Sequence, residues 1–155
     1  MRRIDREISN PIKIEEVIKQ AHCMRLGFND QGEVYIVPLI YGYIKENEKY
    51  TFYFHSAKAG RKVDLVKQNP YVGFEIDEGY QLHDASIACD YSCAFISIIG
   101  NGNIKIVEGE EKLEGLKQIM KKQTGKEDWK FDPKRVEAIH VFKLEVTKLS
   151  CKEHL

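Results

Sequence analysis

The sequence predicts an α+β fold, an antiparallel β-barrel with helices at its edges. Three observations carry that prediction. Six or seven segments alternate apolar and polar residues or are dense in β-branched and aromatic residues, and most are joined by short turn-rich stretches that read as hairpins. Three helical patterns lie among them without regular βαβ alternation, which argues against a Rossmann arrangement. The 155 residues are 43% apolar, enough for one domain over residues 1–155 to bury roughly 70% of its extended surface without metal or disulfide staples.

Asn10-Pro11 opens the first helix, a capping side chain followed by proline at the first helical position. Ile14, Val17, Ile18 and Ala21 recur at spacings of three and four and form one apolar stripe, while Glu15 and Glu16 lie near the positive end of the helix dipole. From Cys23 the period becomes two. Residues 23–28 read as a strand, Asn29-Asp30-Gln31-Gly32 as its turn and residues 33–43 as the partner strand. Pro38 removes a backbone donor from that strand, so it marks a bulge or an unpaired edge where a ligand can meet the backbone. Residues 45–49 form a charged hairpin loop, and residues 50–54 an aromatic third strand. A short helix over about residues 59–68 presents Val63, Leu65 and Val66 and stops at Asn69-Pro70. Residues 71–76 make a fourth strand and residues 77–84 a polar loop. The β-rich run 86–107 is interrupted by Gly100-Asn101-Gly102, which predicts a bend or a bulge. An amphipathic helix over 110–123 follows through Leu113, Leu116, Ile119 and Met120. A loop around Trp129 and Pro133 then leads to the last strand over 136–149.

Charge narrows the function classes. Lys+Arg and Asp+Glu both number 24, so the chain lacks the basic surplus of a nucleic-acid-binding domain. A local basic cradle for one small anion remains compatible with that balance. No run approaches the roughly 18 apolar residues of a membrane span. The opening Met1-Arg2-Arg3-Ile4-Asp5-Arg6-Glu7 lacks the apolar stretch of a signal peptide. Cys23, Cys89, Cys93 and Cys151 form no CxxC pair, so the expectation is free thiols in a soluble cytoplasmic protein.

The most informative segment is Phe54-His55-Ser56-Ala57-Lys58-Ala59-Gly60-Arg61-Lys62. A strand ends, small residues turn the chain, and a helix starts with three cations around its first turn. Cations there oppose the positive end of the dipole, which favours an anion at that terminus. Backbone N–H groups, the Ser56 hydroxyl and the basic side chains would converge on a phosphate, Arg61 as a two-oxygen clamp and Lys62 as a point charge. The alternative is a solvated basic patch eased by nearby Asp64. His55 reads either as a half-buried cap of the turn or as a ligand-facing side chain able to donate a proton near neutral pH.

Other motifs are weaker. Gly100-Asn101-Gly102 opens no helix and lacks the third glycine of a dinucleotide loop. His83, Cys89 and Cys93 are zinc-ligand types without a suitably spaced fourth, so no metal is expected. Cys93 has no cationic neighbour in sequence that would activate it as a nucleophile. Trp129 with Phe131 reads as a packed cover more readily than as a substrate platform. Glu110, Glu111, Lys112, Lys121 and Lys122 read as a solvated helix face, and His22, His140 and His154 join no constellation.

Val37-Pro38-Leu39-Ile40-Tyr41-Gly42-Tyr43, then Phe54-His55-Ser56-Ala57 through Gly60-Arg61-Lys62, then Asn69-Pro70, then Ser97-Ile98-Ile99-Gly100-Asn101-Gly102 occur in one order. This ordered set resembles the pyridoxamine-phosphate-oxidase-like flavin-binding split barrels, and within them the nitroimidazole-resistance branch, over Arg2 to Lys148. The resemblance implies a six-stranded split barrel forming a homodimer with two FMN sites at the subunit interface. It implies that Val37, Pro38 and Leu39 line the isoalloxazine with Tyr41 nearby. His55, Ser56 and Ala57 would follow the ribityl chain, Arg61 and Lys62 hold the phosphate, and Ser97, Ile98, Ile99 and Gly100 pass close to the cofactor.

The implied activity is an FMN-dependent reductase in which the flavin carries the electrons. NAD(P)H or another donor would reduce it, a nitroaromatic would accept the electrons in a ping-pong cycle, and His55 would act as the catalytic proton donor. FAD stays open beside FMN, since the same clamp holds the shared phosphate while the adenosine extends outward. A non-catalytic flavin-binding redox sensor or carrier, and a split barrel binding haem or a deazaflavin, are the alternatives. Two departures matter. Ile96 and Tyr91 stand where the branch often has an arginine and a tryptophan, and the Arg-x-His element that grips pyridoxamine phosphate is missing, which argues against vitamin B6 oxidation.

Overall fold

The computed structural model describes residues 4–155; the opening Met1-Arg2-Arg3, including the start of the stretch on which the signal-peptide reading rests, lies outside the described residues. A short strand β1 (Glu7–Ile8) precedes helix α1 (Pro11–Gln20). The Asn10 side chain accepts the Ile12 N–H at 3.0 Å with Pro11 in the first turn, as the capping argument predicts. Val17, Ile18 and the following Ala21 are buried.

Strands β2 (Met24–Asp30) and β3 (Glu33–Leu39) form a hairpin closed by Asp30 opposite Glu33. Its two-residue turn has positive φ at both Gln31 and Gly32, the primed geometry whose twist matches paired strands. Met24, Leu26 and Phe28 point into the core, while Arg25 and Gly27 alternate to the outer face. Pro38 sits on β3, one end of the sheet, so the missing donor falls on an edge strand as expected.

The partner strand expected over 33–43 is in fact two strands. β4 (Gly42–Glu46) starts after a break and lies at the opposite end of the sheet. The break has a steric cause. A Cβ on Gly42 would come within 2.2 Å of the Gln118 and Ile119 backbone, so the chain here is pressed onto the later helix while Tyr41 turns into the core.

β5 (Lys49–Ala57) extends the aromatic strand by three residues to Ala57 and leads into α2 (Arg61–Gln68). β6 (Tyr71–His83) contains the stretch expected to be a polar loop. Polar residues are tolerated there because both faces are largely exposed, and a register shift between Glu78 and Gln81 keeps β6 paired to β7 (Ser92–Val107). The predicted irregularity at Asn101/Gly102 is present where β7 pairs with β8 (Ile139–His154). Between them lie α3 (Gly109–Thr124) and a short helix, α4 (Pro133–Glu137), where a loop and, from residue 136, the start of the last strand were expected; Asp132 caps α4. The last strand continues past residue 149 to His154, paired with β7 as far as Phe95 opposite His154 and with β1 at Cys151 and Lys152.

The result is an α+β architecture with eight antiparallel strands rather than six, in the order β3-β2-β6-β7-β8-β5-β4 with β1 added to β8. The path does not close, as in a split barrel. One apolar cluster, including Phe28, Tyr41, Phe52, Phe54, Phe74 and Phe142, fills its interior. A second, of Tyr53, Val107, Leu116, Ile119 and Val141, lies under α3. Among the described residues no helix is long and apolar enough to cross a membrane.

Candidate functional site

The sequence-predicted residues fall into two groups. The first lies where β5 ends and α2 begins. Alternation along β5 buries Ser56, whose hydroxyl donates to the Ala57 carbonyl at 3.0 Å, and exposes His55 and Ala57. Gly60 then adopts φ 129°, a conformation natural to glycine, and its carbonyl accepts the Val63 and Asp64 N–H groups at 2.9 and 3.3 Å. No side chain caps the start of α2.

The three cations around that start are not equivalent. Lys58 pairs with Glu137 at 3.2 Å and draws that carboxyl below its ordinary pKa. Arg61 reaches back to the β2–β3 hairpin. Its Nε and Nη2 donate to Asp30 Oδ2 at 2.8 and 2.7 Å, Nη2 also meets Glu33 Oε2 at 3.1 Å, and the guanidinium lies 4.6 Å from the centre of the Tyr35 ring. These hydrogen bonds, that to Asp30 first, raise the Arg61 pKa still further. Lys62 makes no ion pair among the described residues, and Arg61 Nη1 is committed to neither carboxylate. Countercharge thus comes from Asp30, Glu33 and Glu137, not from Asp64.

The second group lies on the β3-β2-β6-β7 side. Pro38, Arg25, Glu75 and Ile99 occupy one row across four adjacent strands of the outer face. Three strand spacings put Pro38 about 14 Å from Ile99. Val37 and Leu39 alternate inward and are half-buried. Ser97 is half-buried, Ile98 is wholly buried, and Gly100 is held against the Phe74 ring, so this stretch offers an outer ligand its backbone and Ile99. Tyr41 is enclosed in the core: its hydroxyl donates to the Ile18 carbonyl at 2.8 Å, the Lys122 ammonium lies 4.3 Å over its ring, and burial drives its pKa strongly upward.

The sequence reading missed Arg25, Glu75 and Asp77. Arg25 Nη1 donates to Glu75 Oε2 at 2.9 Å and also to Asp77. Burial and then Asp77 raise the Glu75 pKa against the opposing pull of Arg25. The signal available in sequence was the i, i+2 spacing of two carboxylates on one strand face, but their arginine is fifty residues away.

A cleft of about 820 Å³ between α1, β4 and α3 contains none of the predicted residues. Its charges largely satisfy one another: Glu15 meets Lys19 at 3.2 Å, Lys45 at 3.4 Å and the Tyr43 hydroxyl at 3.2 Å. Among the described residues no three His, Cys, Asp or Glu side chains are grouped to hold a metal ion, His83, Cys89 and Cys93 included.

The pyridoxamine 5'-phosphate oxidase family matches residues 12–153 of the chain. Among solved structures, a candidate 5-nitroimidazole antibiotic resistance protein from Bacteroides thetaiotaomicron is 29% identical with a TM-score of 0.82, covering 95% of this chain and 86% of that one. A flavocytochrome from Azotobacter vinelandii is 19% identical with a TM-score of 0.80, covering 100% and 72%. A FAD and heme binding protein from Mycobacterium smegmatis is 10% identical with a TM-score of 0.84, covering 95% and 72%. The last two likenesses concern the fold alone. Among curated proteins no match was found.

Proposed function

The chain belongs to the pyridoxamine 5'-phosphate oxidase family, and from that premise we propose that it is a flavin-dependent oxidoreductase whose coenzyme phosphate is held at the start of α2. The observation that carries the reading is the uncapped helix start, with Lys62 unpaired beside it and His55 exposed one strand-end away. Free amides and an unneutralised ammonium suit a phosphate. Arg61 Nη1 can add a third contact. FMN is the coenzyme proposed, and FAD fits the same contacts because it shares that phosphate.

Glu33, in contact with Arg61, lies five residues along β3 from Pro38, about 17 Å in an extended strand. A coenzyme laid along this edge would have its phosphate at α2 and its ring over Pro38 and the backbone of Val37 and Leu39, whose side chains turn inward. Bound there, the flavin supplies a carrier for an electron pair between a donor such as NAD(P)H and a flat, electron-poor acceptor. His55, exposed at the α2 end of that path, would lie by the phosphate and ribityl chain, about 17 Å from an acceptor at Pro38. It would therefore contact the coenzyme rather than protonate the acceptor. A nitroaromatic acceptor is proposed from the likeness to the Bacteroides thetaiotaomicron protein. A homodimer is proposed because Val34, Ile36, Pro38 and Ile99 present apolar surface that a second copy would cover.

The test is the absorption spectrum of the purified protein with extraction of its cofactor. Two flavin bands and released FMN or FAD are expected, with NAD(P)H oxidation in the presence of a nitroaromatic. A Soret band with no flavin would replace this reading by a haem-binding one. A flavin spectrum without turnover would leave a redox sensor or carrier.

A further inference from the structure

We propose that the tip of the β2–β3 hairpin sets the affinity of the phosphate site through Arg61. Asp30 is a positioning residue that holds the guanidinium in place, and Glu33 competes with the phosphate for the same cation. The proposal rests on the reading of the α2 start as a phosphate site.

The two carboxylates hold Arg61 differently. Asp30 is the more sheltered, with 24% of its side chain exposed, and one of its oxygens receives both Nε and Nη2. Together with Tyr35 against the guanidinium face, this fixes the plane of the group and leaves the Nη1 edge uncommitted. Glu33 makes one longer contact and is 80% exposed, so it can leave at little cost. Asp30 and Glu33 also face one another across the closing pair of the hairpin, an arrangement of like charges that disfavours the turn unless a cation bridges them. Arg61 is that cation. Arg61 and its two carboxylates together carry one net negative charge, which offsets the unpaired Lys62 beside them and so opposes a phosphate. Withdrawal of Glu33 brings it to zero.

Removing either carboxylate takes away a negative charge that opposes the phosphate. Loss of Glu33 gives up only a loose contact, whereas loss of Asp30 also frees the guanidinium plane, so opposite signs are expected where positioning outweighs that charge. Apoprotein is titrated with FMN and, separately, with riboflavin, which lacks the phosphate, following the quenching of flavin fluorescence. Glu33→Gln should tighten FMN binding roughly three- to fivefold at low salt, less at high salt, and leave riboflavin unchanged. Asp30→Asn should weaken FMN binding about tenfold, again with riboflavin unchanged. A merely structural role of Asp30 would weaken both ligands together and would overturn the positioning assignment. Lys62→Ala separates this proposal from the reading beneath it. If Lys62→Ala weakens FMN alone while Asp30→Asn and Glu33→Gln move it in the same direction or not at all, the hairpin proposal fails and the phosphate site stands. If Lys62→Ala leaves the FMN-to-riboflavin ratio untouched, both fail. Should Asp30→Asn not fold, the sign for Glu33→Gln decides.

Discussion

Two arginines in this molecule each stand between two carboxylates, and their surroundings differ. Arg25 joins Glu75 and Asp77 within one sheet, Glu75 being its cross-strand partner, so register alone brings them together. Arg61 joins Asp30 and Glu33 across three elements, and no backbone pairing compels the contact. One of its carboxylates is firmly engaged and the other loose. Arg25 thus belongs to the construction of the outer face, whereas Arg61 retains donor capacity at a helix start that nothing caps. The same charge pattern serves structure in one place and a ligand in the other, and mutation separates the two.

The largest effect is expected at Arg61. Arg61→Ala removes a phosphate donor and also leaves Asp30 and Glu33 uncompensated beside the site, so FMN retention should fall on the order of a hundredfold. Its stability should fall by no more than about 1 kcal/mol, since the Arg61 side chain is substantially exposed and its ion pairs are screened by solvent. A variant that keeps full FMN affinity would erase the distinction between the arginines.

Arg25→Ala should cost a similar amount of stability and spare the coenzyme. Glu75 and Asp77 would face one another half-exposed without a cation, at a cost on the order of 1 kcal/mol after solvent screening. Urea titration at neutral pH should show that loss, while the ratio of FMN to riboflavin affinity stays as it was. A change in that ratio would mean that Arg25 also acts on the phosphate.

What was legible in the sequence follows the range of the interactions. Asn10-Pro11, the tight turn at Gln31-Gly32 and the bulge near Gly102 are local, and their residues announce them. The positions of Arg61, Lys62 and His55 at a turn into a helix were equally local. The countercharges were not, because Asp30, Glu33 and Glu137 lie tens of residues from the cations they meet, and Asp64 was the nearest candidate in sequence only. The fate of Tyr41 depended on α3 pressing on Gly42, nearly eighty residues later. The full length of β6 was hidden because a strand exposed on both faces carries no apolar alternation, and α4 because one turn of helix leaves too little periodicity to see.

The smallest expected effect probes the Arg25 cluster through pH. Partial burial, followed by the nearby Asp77, raises the Glu75 pKa above its usual 4.5 although Arg25 pulls the other way. At neutral pH the carboxylate is ionised in folded and unfolded chains alike, so a raised folded value means that its charge weakens the fold. As pH falls through the folded pKa toward 4.5, the folded chain takes up this proton first, and stability rises relative to a chain without the group. Glu75→Gln keeps an oxygen that can accept from Arg25 Nη1 and removes the charge. The variant should exceed the parent by a few tenths of a kcal/mol at about pH 7, and the gap should close on acidification to 4.5. A variant less stable than the parent at neutral pH would show that the pull of Arg25 outweighs burial and Asp77. The Arg25 cluster would then be a stabilising ion pair in its own right, and its contrast with Arg61 would rest on location alone.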